Sequence, residues 1–349
     1  MSSPAQQWKV LVDHKDVPQP GIKLLEDNNC EITILENYNA DVYRQKILAA
    51  LREQSFDAVF LAPCSSSHVK VDKEFLDAAG KNLKVISTMT SGYDHLDLTL
   101  IKERGIKAGH APKVLSAAVA EMAVLCCCYP RRGAPLRVVR SWKSNYDWFS
   151  QNHVHHPKNH KDARSGLTRR VLYFFGQQNF DTFFFNVSLK RLKAFEVGKF
   201  IYTGPSRKRE DEELGAEYVS WDKLLEQSDF LVISAPLTSK TRKLFDDDAF
   251  EKMKKKKPVF VNVARGEIVD TAALQRVLCK MKIFAAGLDV TDPEPLPRKH
   301  ELLKLRNVEI LPHLGSSTIK TRDDMAKVAA LNIINVLAGK DLEYAIPLP

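Results

Sequence analysis

Three short segments near the C-terminus each end an apolar run in a polar residue: Arg265 in Val-Phe-Val-Asn-Val-Ala-Arg-Gly, Glu294 in Gly-Leu-Asp-Val-Thr-Asp-Pro-Glu-Pro, and His313 in Ile-Leu-Pro-His-Leu-Gly-Ser. In a parallel α/β sheet, ligands bind beyond the carboxyl ends of the strands. Three such ends can therefore bring one cation, one carboxylate and one imidazole together. That set suits the reduction of a 2-keto acid. A planar guanidinium clamps the substrate carboxylate and polarises the carbonyl, a task for which lysine is a poor substitute. An imidazole delivers a proton near neutral pH, and a neighbouring carboxylate orients it and favours its charged form. Taken singly, the three residues read as a surface ion pair, a loop acid and a strand cap.

The elements needed to position this set are written along the chain. From Trp8, short apolar runs alternate with helical stretches: Lys9-Val-Leu-Val-Asp, Ile22 to Leu25, Glu31-Ile-Thr-Ile-Leu, Val42 to Leu51, Ala58-Val-Phe-Leu-Ala, Val71 to Ala79, Leu83-Lys-Val-Ile-Ser-Thr and Leu98 to Arg104. Strands alternating with helices at this spacing predict βαβ units and a parallel sheet. A longer apolar helix is predicted over Val114 to Cys128, bridging to a second domain. The second series runs through Val171-Leu-Tyr-Phe-Phe, Phe200-Ile-Tyr-Thr, Phe230-Leu-Val-Ile-Ser, Val259-Phe-Val-Asn-Val, Ala285 to Val290 and Val308 to Leu311. Six strands with intervening helices match a doubly wound nucleotide-binding domain. A last amphipathic helix, Met325 to Leu337, stops before Gly339 and is expected to return to the first domain.

The expected fold class is thus α/β with two domains, a Rossmann-type parallel sheet inserted into a smaller flavodoxin-like substrate domain. The expected boundaries are 1–114 and 319–349 for the substrate domain and 115–318 for the dinucleotide-binding domain, with a basic, aromatic arm projecting near 131–165. The active site is expected in the cleft between the domains.

Composition narrows the function classes. A chain of 349 residues with 44% hydrophobic content can bury a sizeable core. The formal charge of +9 comes from scattered residues without a nucleic-acid recognition motif, so nucleic-acid binding is not expected. The six cysteines form no C-x-x-C pair, which favours a reducing compartment, and Cys126 to Cys128 read as core packing. No secretory leader or membrane-length apolar run stands out, and the terminal Ile-Pro-Leu-Pro is not a peroxisomal address, so a cytoplasmic location is expected. His153, His155, His156 and His160 sit in a basic stretch without carboxylate or cysteine partners and read as a solvated loop, not a metal site.

The chain resembles the D-isomer-specific 2-hydroxyacid dehydrogenases. The words that carry the resemblance run from Leu83-Lys-Val-Ile-Ser-Thr-Met-Thr-Ser-Gly-Tyr-Asp-His-Leu through Val119-Ala-Glu-Met-Ala, Tyr202-Thr-Gly, Ser234-Ala-Pro-Leu-Thr and Asn262-Val-Ala-Arg-Gly to Ala286-Gly-Leu-Asp-Val-Thr-Asp-Pro-Glu-Pro-Leu-Pro and Leu311-Pro-His-Leu-Gly-Ser. They occur in family order. The resemblance implies that Arg265, Glu294 and His313 are the catalytic set and that the backbone N–H groups of Ser91 and Gly92 meet the substrate carboxylate. Ser316 is expected to line the same pocket. Ala235, Pro236, Leu237 and Ala264 are expected to flank the cofactor, with His313 also beside it, and Asp289 to bond the nicotinamide carboxamide. The implied substrates are small 2-keto acids such as glyoxylate and hydroxypyruvate. A homodimer is implied, with Trp142 and Trp148 in the dimer arm.

Cofactor choice is read from the end of the second strand of the nucleotide-binding series, where NAD-preferring domains place an acidic residue. Here the run is Tyr202-Thr203-Gly204-Pro205-Ser206-Arg207-Lys208-Arg209, without a carboxylate before Glu210. Ser206, Arg207 and Lys208 suit a 2′-phosphate, so NADPH is expected ahead of NADH, against the alternative of a solvated basic loop. The phosphate fingerprint departs from pattern. In place of G-x-G-x-x-G stands Phe175-Gly176-Gln177-Gln178-Asn179-Phe180-Asp181, and only Gly176 keeps its place. Counting from Gly176 puts Gln178 and Asp181 at the other glycine positions; counting back from Lys190-Arg-Leu-Lys-Ala-Phe puts Phe180, Thr182 and Phe185 there. A rearranged cradle, a dehydrogenase-like dimer that has lost catalysis and binds a protein partner, and a misassigned exon over 131–189 are the three readings left open.

Overall fold

The computed structural model describes residues 7–36, 40–62, 69–128, 171–175, 180–207, 214–253 and 255–349. The arm and its histidines, Trp142, Trp148, Cys64, Gly176 and Lys208 lie outside the described residues. The chain divides into two compact units, Met1–Leu115 with Ser317–Pro349, and Ser116–Ser316.

In the first unit, β1 (Trp8–Val12), β2 (Cys30–Ile34), β3 (Ala58–Leu61), β4 (Val85–Thr88) and β5 (Lys107–Gly109) form a parallel sheet in the order β2-β1-β3-β4-β5. This is the flavodoxin-like doubly wound order. The central strands β3 and β4 are buried throughout, which is why their sequences read as unbroken apolar runs. Between the strands run α1 (Gln19–Glu26), α2 (Ala40–Glu53), α3 (Lys73–Ala79) and α4 (Leu98–Glu103), and Asp72 and Asp97 cap α3 and α4 by accepting from the N–H groups of Phe75 and Leu100.

β5 is not legible in the sequence, because Lys-Ala-Gly carries a single apolar side chain. Its register is held by pairing with β4, Val85 opposite Lys107 and Ser87 opposite Gly109. Gly109 is required there, since a Cβ would lie 2.7 Å from the Asn332 amide nitrogen. Asn332 belongs to the last helix of the chain, α10 (Ile319–Leu337). That helix starts two turns earlier than the apolar pattern predicts. Its first residues, Ile319 to Asp324, are mostly polar, and Thr318 caps it by accepting from Thr321 N–H. α10 packs on α1 and β4.

The second unit opens with α5 (Ser116–Cys128) and continues with β6 (Val171–Phe175), α6 (Phe180–Lys193), β7 (Lys199–Thr203), β8 (Ala216–Tyr218), α7 (Trp221–Gln227), β9 (Phe230–Ile233), α8 (Asp247–Met253), β10 (Val259–Asn262), α9 (Thr271–Cys279), β11 (Ala285–Leu288) and β12 (Val308–Ile310). Its sheet is parallel in the order β12-β11-β10-β9-β6-β7-β8. The order reverses between β6 and β9, the switch point at which Rossmann-type sheets bind dinucleotides. β8 adds a strand to the six expected; it is a short edge strand in which only Ala216 is buried. α5 packs on β10, β11 and α6, and Gly287 lets it approach, since a Cβ there would meet Cys126 at 2.8 Å. Cys126 and Cys127 are buried in this contact.

Candidate active site

β10, β11 and β12 are neighbours in the sheet, so the loops that follow them leave the same edge side by side. Arg265 follows β10, Asp289 to Glu294 follow β11, and His313 follows β12. Apolar packing of the strands thus delivers all three polar residues to one end of the sheet.

The Arg265 loop is braced by Asn262, the polar last residue of an otherwise apolar strand. Its side-chain amide donates to the Arg265 carbonyl at 2.8 Å and accepts from Ala264 N–H at 3.0 Å. The guanidinium donates to the Ala264 carbonyl at 2.9 Å and is half-buried. Gly266 follows at once and starts the 3-10 turn Gly266–Ile268. A Cβ on Gly266 would overlap the Thr291 carbonyl, so this glycine sets how closely the Arg265 and Glu294 loops approach.

His313 Nδ1 lies 2.7 Å from Glu294 Oε1. A carboxylate accepts, so Nδ1 carries the hydrogen and donates, leaving Nε2 open for chemistry. Burial works against ionisation of Glu294, but the hydrogen bond and charge of His313, with smaller help from Thr291 N–H and Arg265, hold its carboxyl below the ordinary value. The Glu294 loop is tied down by Thr271, whose hydroxyl donates to the Asp292 carbonyl at 2.7 Å, and by Thr291, whose hydroxyl donates to the Pro293 carbonyl at 2.8 Å.

His313 adopts a left-handed backbone, φ 54°, uncommon for a residue with a side chain. Asp289 stabilises that turn. Its backbone carbonyl accepts from His313 N–H at 2.8 Å, and its two carboxylate oxygens accept from Leu314 N–H at 2.7 Å and Gly315 N–H at 2.9 Å. Asp289 is 1% exposed, and burial pushes its carboxyl up despite these donors and His313. The carboxamide contact remains an expectation for Asp289; what its carboxylate does in the fold is anchor the His313 turn, a form of the local cap that an Asp at a strand end often makes. The bracing role of Asn262 was not read from the sequence. Ser316 closes the second unit three residues after His313 and is half-buried.

The residues expected around a dinucleotide lie at neighbouring strand ends of the same sheet. Thr203 ends β7 and is buried, Gly204 is half-buried, and Ser206 and Arg207 are exposed. Ala235 and Pro236 follow β9, and the Pro236 carbonyl accepts from the Thr241 hydroxyl at 2.7 Å. β6 ends immediately before Gly176 and α6 begins at Phe180, which favours the register that counts from Gly176; Phe180, Thr182 and Phe185 are helical. Phe184 and Phe185 are buried in the core that covers β7 and β9. These surroundings fit a dinucleotide: the switch point is present, small residues follow β9 and β10, and no carboxylate stands among Thr203 to Arg207 at the end of β7. Ser91 and Gly92 follow β4 in the first unit. Among the described residues no group of His, Cys, Asp and Glu is arranged to hold a metal, and no helix is long and apolar enough to cross a membrane.

Strand order and strand-end residues together define a dinucleotide-binding oxidoreductase architecture. Residues 187–315 match the family model for the D-isomer specific 2-hydroxyacid dehydrogenase NAD binding domain. The chain is 38% identical over 346 residues to the human glyoxylate reductase/hydroxypyruvate reductase, covering 99% of both chains. Among solved structures it is similar to the TT0316 protein of Thermus thermophilus, with a TM-score of 0.80, 30% identity and coverage of 97% and 100% of the two chains. It is also similar to a glyoxylate reductase from Paecilomyes thermophila, with a TM-score of 0.79, 25% identity and coverage of 98% of each chain. The chain belongs to the D-isomer-specific 2-hydroxyacid dehydrogenase family of NAD(P)-dependent oxidoreductases.

Proposed function

We propose that this chain reduces small 2-keto acids, glyoxylate to glycolate and hydroxypyruvate to D-glycerate, with NADPH as the preferred cofactor. The observation that carries the reading is the 2.7 Å contact between His313 and Glu294, on loops that follow the two strands beside that of Arg265 in the order β10-β11-β12. The names of the relatives support the substrates. The exposed Ser206 and Arg207 support NADPH; Lys208 is proposed to join them.

Thr203, Gly204, Ser206, Arg207, Ala235, Pro236, Ala264 and Asp289 would hold the dinucleotide, with Gly176 at its pyrophosphate. When bound, the reduced nicotinamide supplies a hydride to the substrate carbonyl carbon. Arg265 holds the substrate carboxylate in a two-point contact and polarises the carbonyl. Ser91 and Gly92 add backbone donors to the carboxylate. His313, oriented through Nδ1 by Glu294, delivers a proton from Nε2 to the carbonyl oxygen, and Glu294 stabilises the charge of the imidazolium before transfer. Ser316 lines the substrate side.

The single glycine of the Gly176 segment favours a second reading, a catalytically inactive relative. The two are separated by following NADPH oxidation with hydroxypyruvate in the wild type and in Arg265→Ala. Turnover that Arg265→Ala abolishes supports the reductase; an inert wild type that also fails to bind NADPH supports the second reading.

A further inference from the structure

The loop after β4 carries three successive carbonyls, and each is held from behind. Thr90 O accepts from Ala111 N–H at 2.8 Å, Ser91 O from the His110 imidazole Nδ1 at 2.9 Å, and Gly92 O from the Thr90 hydroxyl at 2.6 Å. The Thr90 hydroxyl, with its own hydrogen committed to Gly92, accepts from Thr88 Oγ1 at 2.7 Å. His110 and Ala111 are consecutive residues just past β5.

A trans peptide is planar, with its C=O and the following N–H pointing in opposite directions. Holding the carbonyls of residues 90, 91 and 92 therefore fixes the directions of the N–H groups of Ser91, Gly92 and Tyr93. Among the described residues none of these three N–H groups meets an acceptor. Two of these oriented amides, Ser91 N–H and Gly92 N–H, are the donors proposed above for the substrate carboxylate.

We propose that His110 is a positioning residue for the reductase reaction, fixing through the Ser91 carbonyl the peptide whose Gly92 N–H meets the substrate carboxylate, with Thr90 doing the same for the next peptide. This rests on the proposed 2-keto acid reduction. His110 is built into the fold for such a role. It is buried, its ring meets Tyr93 edge-on at 5.3 Å between centroids, and its backbone carbonyl accepts from the Asn332 side chain at 3.0 Å. Asn332 also donates to Ser87 Oγ at 3.3 Å and accepts from Tyr344 N–H at 2.9 Å, locking the His110 backbone to α10 and to the C-terminal tail. A carbonyl can only accept, so it selects the form of the ring that carries hydrogen on Nδ1. Burial pushes the imidazole towards its neutral form, and the hydrogen bond to Ser91 O opposes that push without reversing it.

The test compares His110→Phe, which keeps a ring beside Tyr93 and loses the donor, with His110→Asn, whose amide nitrogen replaces Nδ1. Thr90→Val is the second, nearly isosteric variant. KM for hydroxypyruvate and for NADPH, kcat, and inhibition by the unreactive carboxylate oxamate are measured for each. Loss of one hydrogen bond predicts a rise of roughly five- to tenfold in KM for hydroxypyruvate for His110→Phe and Thr90→Val. The oxamate inhibition constant should rise in parallel, with kcat and KM for NADPH within about twofold of wild type. His110→Asn should recover most of the loss. A KM unchanged in His110→Phe, a His110→Asn no better than His110→Phe, or a loss shared equally by NADPH would overturn the inference while the wild-type and Arg265→Ala comparison leaves the reductase reading standing. An inert wild type would overturn both.

Discussion

Glu294 Oε1 accepts from His313 Nδ1 at 2.7 Å, across loops that leave the adjacent strands β11 and β12. This contact selects the imidazole tautomer with hydrogen on Nδ1, and in the proposed reaction Nε2 is the proton donor. His313→Ala should therefore lower kcat by roughly 10²- to 10⁴-fold, the usual range for a general acid. Glu294→Gln, which keeps the shape and loses the charge, should cost less, about 10²-fold. Steady-state kinetics with NADPH binding measured separately checks both; equal loss of NADPH affinity would point to misfolding instead.

The same pair predicts a pH effect on stability. The Glu294 carboxyl is held below its ordinary value of 4.5 in the folded protein. A depressed carboxyl contributes stability that is present above the unfolded value and fades as pH falls through the folded one. Wild type should therefore melt above Glu294→Gln at pH 6, with the gap closing as pH falls below about 4. Parallel melting curves that keep a constant gap down to pH 3 would contradict the assignment.

Gly266 should tolerate no side chain. A methyl group there overlaps the Thr291 carbonyl, and relief requires the Arg265 and Glu294 loops to part. Gly266→Ala should cost about 1–3 kcal/mol of stability and lower kcat/KM at the same time. A variant with normal activity and melting temperature would show that the loops have room.

Arg265→Lys should retain charge and lose the planar two-point contact. A loss of roughly 10- to 100-fold in kcat/KM is expected, carried mainly by KM. Wild-type kinetics in this variant would leave the substrate carboxylate assigned to the wrong cation.

Thiol reactivity should follow burial. Cys30 is pushed up to about 11, first by burial and then by the charge of Asp57, and burial also raises Cys126. Cys279 is exposed. Iodoacetamide at pH 8 followed by peptide mapping should label Cys279 well before Cys30, Cys126 and Cys127. Early labelling of Cys126 would mean that α5 separates readily from β11.

Much of this architecture could be read from the chain because its central strands are buried on both faces and leave unbroken apolar runs, as in Phe230–Ile233 and Val259–Asn262. Arg265, Glu294 and His313 were legible for the same reason, each standing just beyond such a run. β5 and β8 were not, because Lys107–Gly109 and Ala216–Tyr218 are short edge strands whose register comes from their neighbours and not from their own side chains. Residues that brace others were the least visible. Asn262, Asp289 and His110 act through backbone groups of residues whose proximity exists only in the fold.

The central claim is that the Arg265, Glu294 and His313 set performs a cofactor-dependent reduction. Its most direct test is NADPH oxidation by the full-length protein given hydroxypyruvate, with glyoxylate and NADH as comparisons and His313→Ala as control. The account predicts turnover in the wild type, faster with NADPH than with NADH, and its loss in His313→Ala with NADPH binding retained. A wild type that neither binds NADPH nor oxidises it, or a His313→Ala variant with undiminished turnover, would contradict it.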